Sequence, residues 1–197
     1  MEKYVVTISR QFGSMGRSIA HRMSELLHVE FMDRDIVEKT AKRMGLPVSM
    51  ISNEEEAAKA GFGGRIYPLG IGMPSIKDEI FAVQTSIIQE FADKESCIIV
   101  GRCSEYILKD RPNIIRIYVY APFEERLKNC TDILGMDAKT AKRMIKEVDN
   151  ARENYHRLYV PGYTNPFDNR DLCIDSSKFG IDGSAEILSN IIKERFY

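Results

Sequence analysis

Gly16, Arg17 and Ser18 stand in the order glycine, cation, hydroxyl, directly after Gly13, Ser14 and Met15. Residues of these types at a turn can do phosphate chemistry. Glycine lets backbone N–H groups approach an anion, a cation neutralises its oxygens, and a hydroxyl can sit on Mg²⁺. The usual phosphate-loop pattern is G-x-x-x-x-G-K-[ST]. Here Gln11 occupies the first glycine position and Arg17 the lysine position. A guanidinium can grip phosphate through two parallel N–H bonds where an ammonium is a point charge. The alternative reading is a strand-to-helix turn that needs glycine for its backbone freedom alone.

Other groups are placed to join such a site. Arg102 follows the apolar run Cys97 to Val100, and ligands of open α/β sheets bind beyond the carboxyl ends of strands. A surface arginine with its stem on the sheet is the competing explanation. Asp33 and Asp35 follow a second apolar run. A carboxylate there could take a proton from an acceptor or hold metal-bound water, and Asp33 could equally cap the next helix. Between residues 137 and 157 lie Lys139, Lys142, Arg143, Lys146, Asp149, Arg152 and Arg157. Asp149 and Arg152 are three apart and share a helix face, while Met144, Val148, Ala151 and Tyr155 form an apolar stripe read as the opposite face. The basic face is either a solvated surface with local ion pairs or a lid that closes over phosphate. His21, His28 and His156 have no metal-ligand spacing and are expected at the surface.

The elements that must position these groups read clearly. Strand-like runs are Tyr4–Ser9, Val29–Asp33, Cys97–Gly101, Ile114–Tyr120 and Leu172–Asp175. Most are continuously apolar, as in strands buried on both faces of a parallel sheet. Helical patterns run from Gly16 to Leu27, from Arg34 to Met44, and from a Ser75 cap through Ala92. Further helices start at Pro122 and Asp137, and Asp182 begins the last. Alternating strands and helices predict a doubly wound α/β fold. Residues 61–74 are glycine-rich with apolar residues between, which reads as a surface loop, a lid or an oligomer contact.

The 197 residues fit a single domain, and the formal net charge of −1 gives no global signal for nucleic acid or membrane. No apolar run approaches the ~20 residues that span a bilayer. The cysteines, Cys97, Cys103, Cys130 and Cys173, form no C-x-x-C pair, so free thiols in a cytoplasmic protein are expected rather than a zinc site or disulfides.

Together these residues resemble the cytidylate kinase-like family. The most specific segment is Ile8-Ser9-Arg10-Gln11-Phe12-Gly13-Ser14-Met15-Gly16-Arg17. Phe31-Met32-Asp33-Arg34-Asp35, Ile98-Ile99-Val100-Gly101-Arg102-Cys103 and Leu172-Cys173-Ile174-Asp175-Ser176-Ser177 are similar as well. The resemblance implies an α/β P-loop kinase fold with a five-stranded parallel sheet in the order 2-3-1-4-5 and a helical lid. It implies ATP with Mg²⁺ as donor and a nucleoside monophosphate as acceptor, cytidylate favoured. Carried over by position, Gly13, Ser14, Met15, Gly16, Arg17 and Ser18 hold the ATP phosphates, with Ser18 on the metal. Arg102 and Asp149 meet the acceptor, where Asp33 is a further candidate by its place after the second strand, and Arg17, Arg102 and Arg152 serve catalysis, with Arg143 and Arg157 as further lid candidates. Residues 45–93 would be the acceptor-binding insert and 137–163 the lid, mobile until donor and acceptor are bound. The partners implied are small nucleotides, with a possible homo-oligomer through 61–74.

The chain departs from the family pattern at Arg17, at Cys103 where an acid is usual, and at Ala82 where an arginine is usual. The segment that would read the base is not recognisable in 61–74. A kinase of another small molecule, or a weakly catalytic nucleotide-binding regulator, therefore stays open beside the nucleotide kinase.

Overall fold

The computed structural model describes residues 3–51 and 76–197. The glycine-rich segment 61–74 and the proposed Ser75 cap lie outside the described residues. Five strands form one parallel sheet: β1 (Val5–Arg10), β2 (Glu30–Met32), β3 (Cys97–Val100), β4 (Ile114–Tyr120) and β5 (Leu172–Asp175). Their spatial order is β2-β3-β1-β4-β5, as the resemblance implies. β1 sits at the centre, with Val5 opposite Cys97 on one side and Ile114 on the other.

The strand pleat sorts the apolar runs into two cores. Val6, Ile8, Ile98, Val100, Ile117 and Val119 face α1 (Gly16–Leu27) and the C-terminal helix, meeting Ile19, Met23, Leu188 and Ile192. Val5, Cys97 and Ile99 face the other way, onto Ile36 of α2 (Asp35–Met44) and Ile87 and Ile88 of α3 (Ile76–Lys94). Successive side chains of a strand point to opposite faces, so a run such as Cys97–Val100 is apolar throughout because both faces are covered.

The short helix α4 (Ser104–Ile107) follows β3, and α5 (Phe123–Lys128) follows β4 and runs into a π-helical turn, Asn129–Ile133. α6 (Ala138–Tyr159) is capped by Asp137, whose side chain accepts from the Thr140 N–H. α6 packs on this turn through Ala141 and Ile145 against Cys130 and Phe12. The last helical element, α7 (Ser176–Phe196), is two helices in line, and the second starts just past Gly180, next to the predicted start at Asp182. Asp175 caps it at Ser177, and Gly180, at φ 66°, breaks it one turn in. Glycine alone takes that left-handed angle without strain, so Gly180 separates a first short turn, which the sequence pattern did not show, from the long helix that it did. No helix among the described residues is long and apolar enough to cross a membrane.

Candidate active site

β1 ends at Arg10, and the chain turns through Gln11 to Met15 into α1. Gly13 takes φ 78° and Met15, at the N-cap, φ 59°. No side chain caps the first turn of α1, so its N–H groups remain available to an anion. A Cβ on Gly16 would lie 2.7 Å from Arg10 Cβ, and one on Gly13 would lie 2.8 Å from the Arg126 carbonyl oxygen. Both glycines are required by close approach.

The loop is braced from every side. Gln11 Oε1 accepts from the Ala121 N–H at 3.1 Å. The Ser14 hydroxyl donates to the Gln11 and Val119 carbonyls, and the Ser14 N–H also turns back to Gln11. Ser176 donates to the Ser14 carbonyl at 2.8 Å and Asn129 to the Gly13 carbonyl at 2.9 Å. Ser14 thus shapes the loop with its own polar groups directed inward. Arg17 and Ser18 occupy the first turn of α1, Arg17 exposed and Ser18 half-buried. Arg17 Nε lies 2.6 Å from Asp33 Oδ2.

α6 crosses over this loop. Asp149 Oδ1 accepts from the Phe12 N–H at 2.7 Å, and its Oδ2 accepts from Arg126 Nη1 at 2.5 Å. Arg152 donates to the Arg10 carbonyl at 2.9 Å. The anticipated Asp149–Arg152 pair is only a 4.0 Å contact, because each residue is engaged with the loop instead. Asp149 and Arg152 also line the same cavity as Val148, Ala151 and Tyr155. The division into opposite polar and apolar faces does not hold here, because the helix lies across a polar cavity.

That cavity, of about 290 Å³, opens at the carboxyl ends of β1 and β3 beneath α6. Arg10, Arg102, Arg152 and Arg170 line it, together with Tyr118 and His156. Arg10 is half-buried among them, its side chain 18% exposed. Its guanidinium lies over Gly101, where an added Cβ would come within 2.5 Å of Nη1. Burial first, then Arg152, push its pKa down to about 9, and Asp33, 3.4 Å from its Nη2, opposes them. Gly101, Arg102 and Cys103 all have left-handed backbone, at φ 78°, 59° and 53°. For the two non-glycine residues that conformation costs on the order of 1–3 kcal/mol each, and it turns the chain sharply at the cavity rim.

Behind the cavity a carboxylate ties three segments together. Glu105 accepts from Ser9 Oγ at 3.3 Å and Arg170 Nη2 at 3.2 Å, and its Oε1 lies 2.8 Å from His156 Nε2. Burial alone would raise the Glu105 pKa. The His156 hydrogen bond and the charges of Arg170 and His156 outweigh it and hold the carboxyl at about 2. His156, expected at the surface, is buried, because α6 turns it onto this acid. Cys103 Sγ completes a close group with Glu105 and His156. Burial and the Glu105 charge push its thiol well up, and Arg170 already neutralises the acid, so the group is poorly suited to a cation.

Arg17, Asp33, Arg102, Asp149 and Arg152, named from sequence, are thus gathered at the loop and the cavity mouth. Arg10, Glu105, Arg126 and Arg170 were missed. Arg10 and Glu105 carried a positional signal, directly after β1 and two residues past Cys103, but a lone charge near a strand end resembles a surface residue.

This architecture has recognisable relatives. The profile of the cytidylate kinase-like family matches residues 5–178. The chain belongs to that family. No curated protein matches the sequence. Among solved structures, an uncharacterized protein from Eubacterium ventriosum is 25% identical with a TM-score of 0.74, covering 98% of this chain and 100% of its own. A shikimate kinase from Aquifex aeolicus is 17% identical at TM-score 0.53, covering 98% of both chains. A gluconokinase from Sinorhizobium meliloti is 11% identical at TM-score 0.52, also covering 98% of both. The fold of this cytidylate kinase-like protein is that of the P-loop kinases.

Proposed function

We propose that this cytidylate kinase-like protein transfers a phosphoryl group from ATP·Mg²⁺ to a small phosphate-bearing acceptor, with nucleoside monophosphates as the favoured class. One observation carries the reading: the uncapped N-terminus of α1 adjoins a cavity lined by four arginines at the strand ends. Asp149 and Glu153 line it too, and Asp33 and Glu105 pair with Arg10 and Arg170, so an anion entering the cavity would share these guanidiniums with the acids that now hold them.

The residues present fit a nucleotide donor. The first-turn N–H groups of α1 point where a phosphate would be held, and Ser18 carries the hydroxyl suited to a magnesium ion. Bound magnesium would contribute neutralisation of β- and γ-phosphate oxygens. Arg17 stands at the same helix end and would turn from Asp33 toward the transferring group. Arg152 and Arg10, held together through the Arg10 carbonyl, would orient the acceptor and spread the charge that grows in transfer. α6 would exclude water from the reacting groups. An acceptor that is already a phosphate oxygen needs no strong general base.

A screen of ADP formation tests this, over nucleoside monophosphates, shikimate, gluconate and a no-acceptor control. Turnover only with nucleotides supports the nucleotide reading. Turnover with shikimate or gluconate replaces it with a kinase of another small molecule. ATP binding without turnover on any acceptor points to the regulatory alternative.

A further inference from the structure

The lid arginine and the glycine loop do not account for Arg170. Its side chain is 3% exposed, yet it lines the cavity. Nε donates to the Pro166 carbonyl at 3.1 Å and Nη2 to Glu105 at 3.2 Å. Its guanidinium carbon lies 5.9 Å from the Tyr118 ring centroid. Nη1, in contrast, is covered and has no hydrogen-bond partner among the described residues, so an acceptor oxygen would reach it only as the groups covering it shift. A buried donor on a charged group without an acceptor is expensive, more so than a neutral one. The other N–H groups fix the plane of the fork, so Nη1 cannot find a partner by rotating away.

Resting on the reading of the cavity as the acceptor site, we infer that Arg170 is a specificity residue whose Nη1 hydrogen-bonds an anionic oxygen of the acceptor. The chemical class is an oxyanion, a phosphate or a carboxylate. Glu105 is the positioning residue that sets the fork, with His156 and Ser9 holding its other lone pairs. The Glu105–His156 contact spans α4 to α6, so the placement of Arg170 is coupled to the helix that covers the cavity. An uncharged acceptor would leave Nη1 as it stands and would gain nothing from it.

The test is binding of cytidine monophosphate, shikimate and cytidine by calorimetry to the full chain and to Arg170→Gln, Arg170→Lys and the double variant Arg170→Gln with Glu105→Gln. The double variant removes both charges of the buried pair and guards against a result due to misfolding, and thermal melting checks each protein. Losing a hydrogen bond to a charged group corresponds to about 10-fold or more in affinity. Expected is a loss of that size for at least one anionic probe in Arg170→Gln and in the double variant, partial recovery in Arg170→Lys, and no change for cytidine. Loss for cytidine monophosphate identifies phosphate as the recognised oxyanion, and loss for shikimate identifies carboxylate. Unchanged binding of both anions, equal weakening of cytidine, or a wild-type chain that binds neither anion overturns the inference. Binding of ATP·Mg²⁺ is read separately. If it fails while anion binding still depends on Arg170, phosphoryl transfer falls and this inference stands.

Discussion

Arg17 Nε lies 2.6 Å from the carboxylate of Asp33, so the cation that the sequence places over phosphate is joined to an acid in the structure. Asp33 also faces Arg10, whose side chain is half-buried at the cavity. One carboxylate therefore moderates two cations of the site. On the proposed function, a phosphate arriving at the loop would compete with it for Arg17.

Asp33→Asn should destabilise the protein by about 1–2 kcal/mol, because it leaves the half-buried Arg10 charge without its nearest acid. The half-exposed Arg17 contributes little to that loss. Saturating inorganic phosphate should return part of the melting temperature, since an anion that binds only the folded state stabilises it. Denaturant unfolding with and without phosphate is the measurement. A variant as stable as wild type, with no response to phosphate, contradicts the role.

Arg17→Ala should lower kcat by about 10²-fold with a smaller change in KM for ATP, as for other groups that meet growing negative charge. Arg17→Lys should recover part of the rate. Steady-state kinetics on the acceptor found in the screen decides. A raised KM at unchanged kcat would make Arg17 a uniform binding group instead.

Gly101→Ala should disturb the site from beneath. The position has φ 78°, and an added Cβ would meet Arg10 Nη1 at 2.5 Å. Left-handed backbone with a side chain costs about 1–2 kcal/mol, and Arg10 must move as well. Expected are a lowered melting temperature and weaker phosphate binding together. Normal phosphate affinity in a destabilised Gly101→Ala protein would show that the Arg10 pose does not matter for anions.

Glu105 predicts a pH dependence. Its carboxyl is held at about 2 in the fold against an ordinary 4.5. A depressed carboxylate contributes stability that is present above about pH 4.5 and is lost as pH falls toward 2, here on the order of 3 kcal/mol. Unfolding free energies of wild type and Glu105→Gln between pH 2 and 6 should therefore converge as the pH falls. Parallel curves for the two proteins would mean that Glu105 titrates alike folded and unfolded.

Much of this protein was legible in the residues alone. Runs such as Cys97 to Val100 are apolar on both faces, a pattern demanded by a covered parallel sheet, and they predict the five strands and their setting. Gly16-Arg17-Ser18 marks the start of α1 through local backbone rules. Sheet order came through the family resemblance, since strand neighbours are non-local. The tertiary structure alone decided which charges meet. Glu105 collects Ser9, His156 and Arg170 from three distant parts of the chain, and Asp149 bonds the Phe12 N–H and Arg126 rather than its helical neighbour. Periodicity records which side of an element is apolar. Ion pairs form across distances that only the packing of those elements sets, so a buried His156 and the unpartnered N–H of Arg170 had no signature in the sequence.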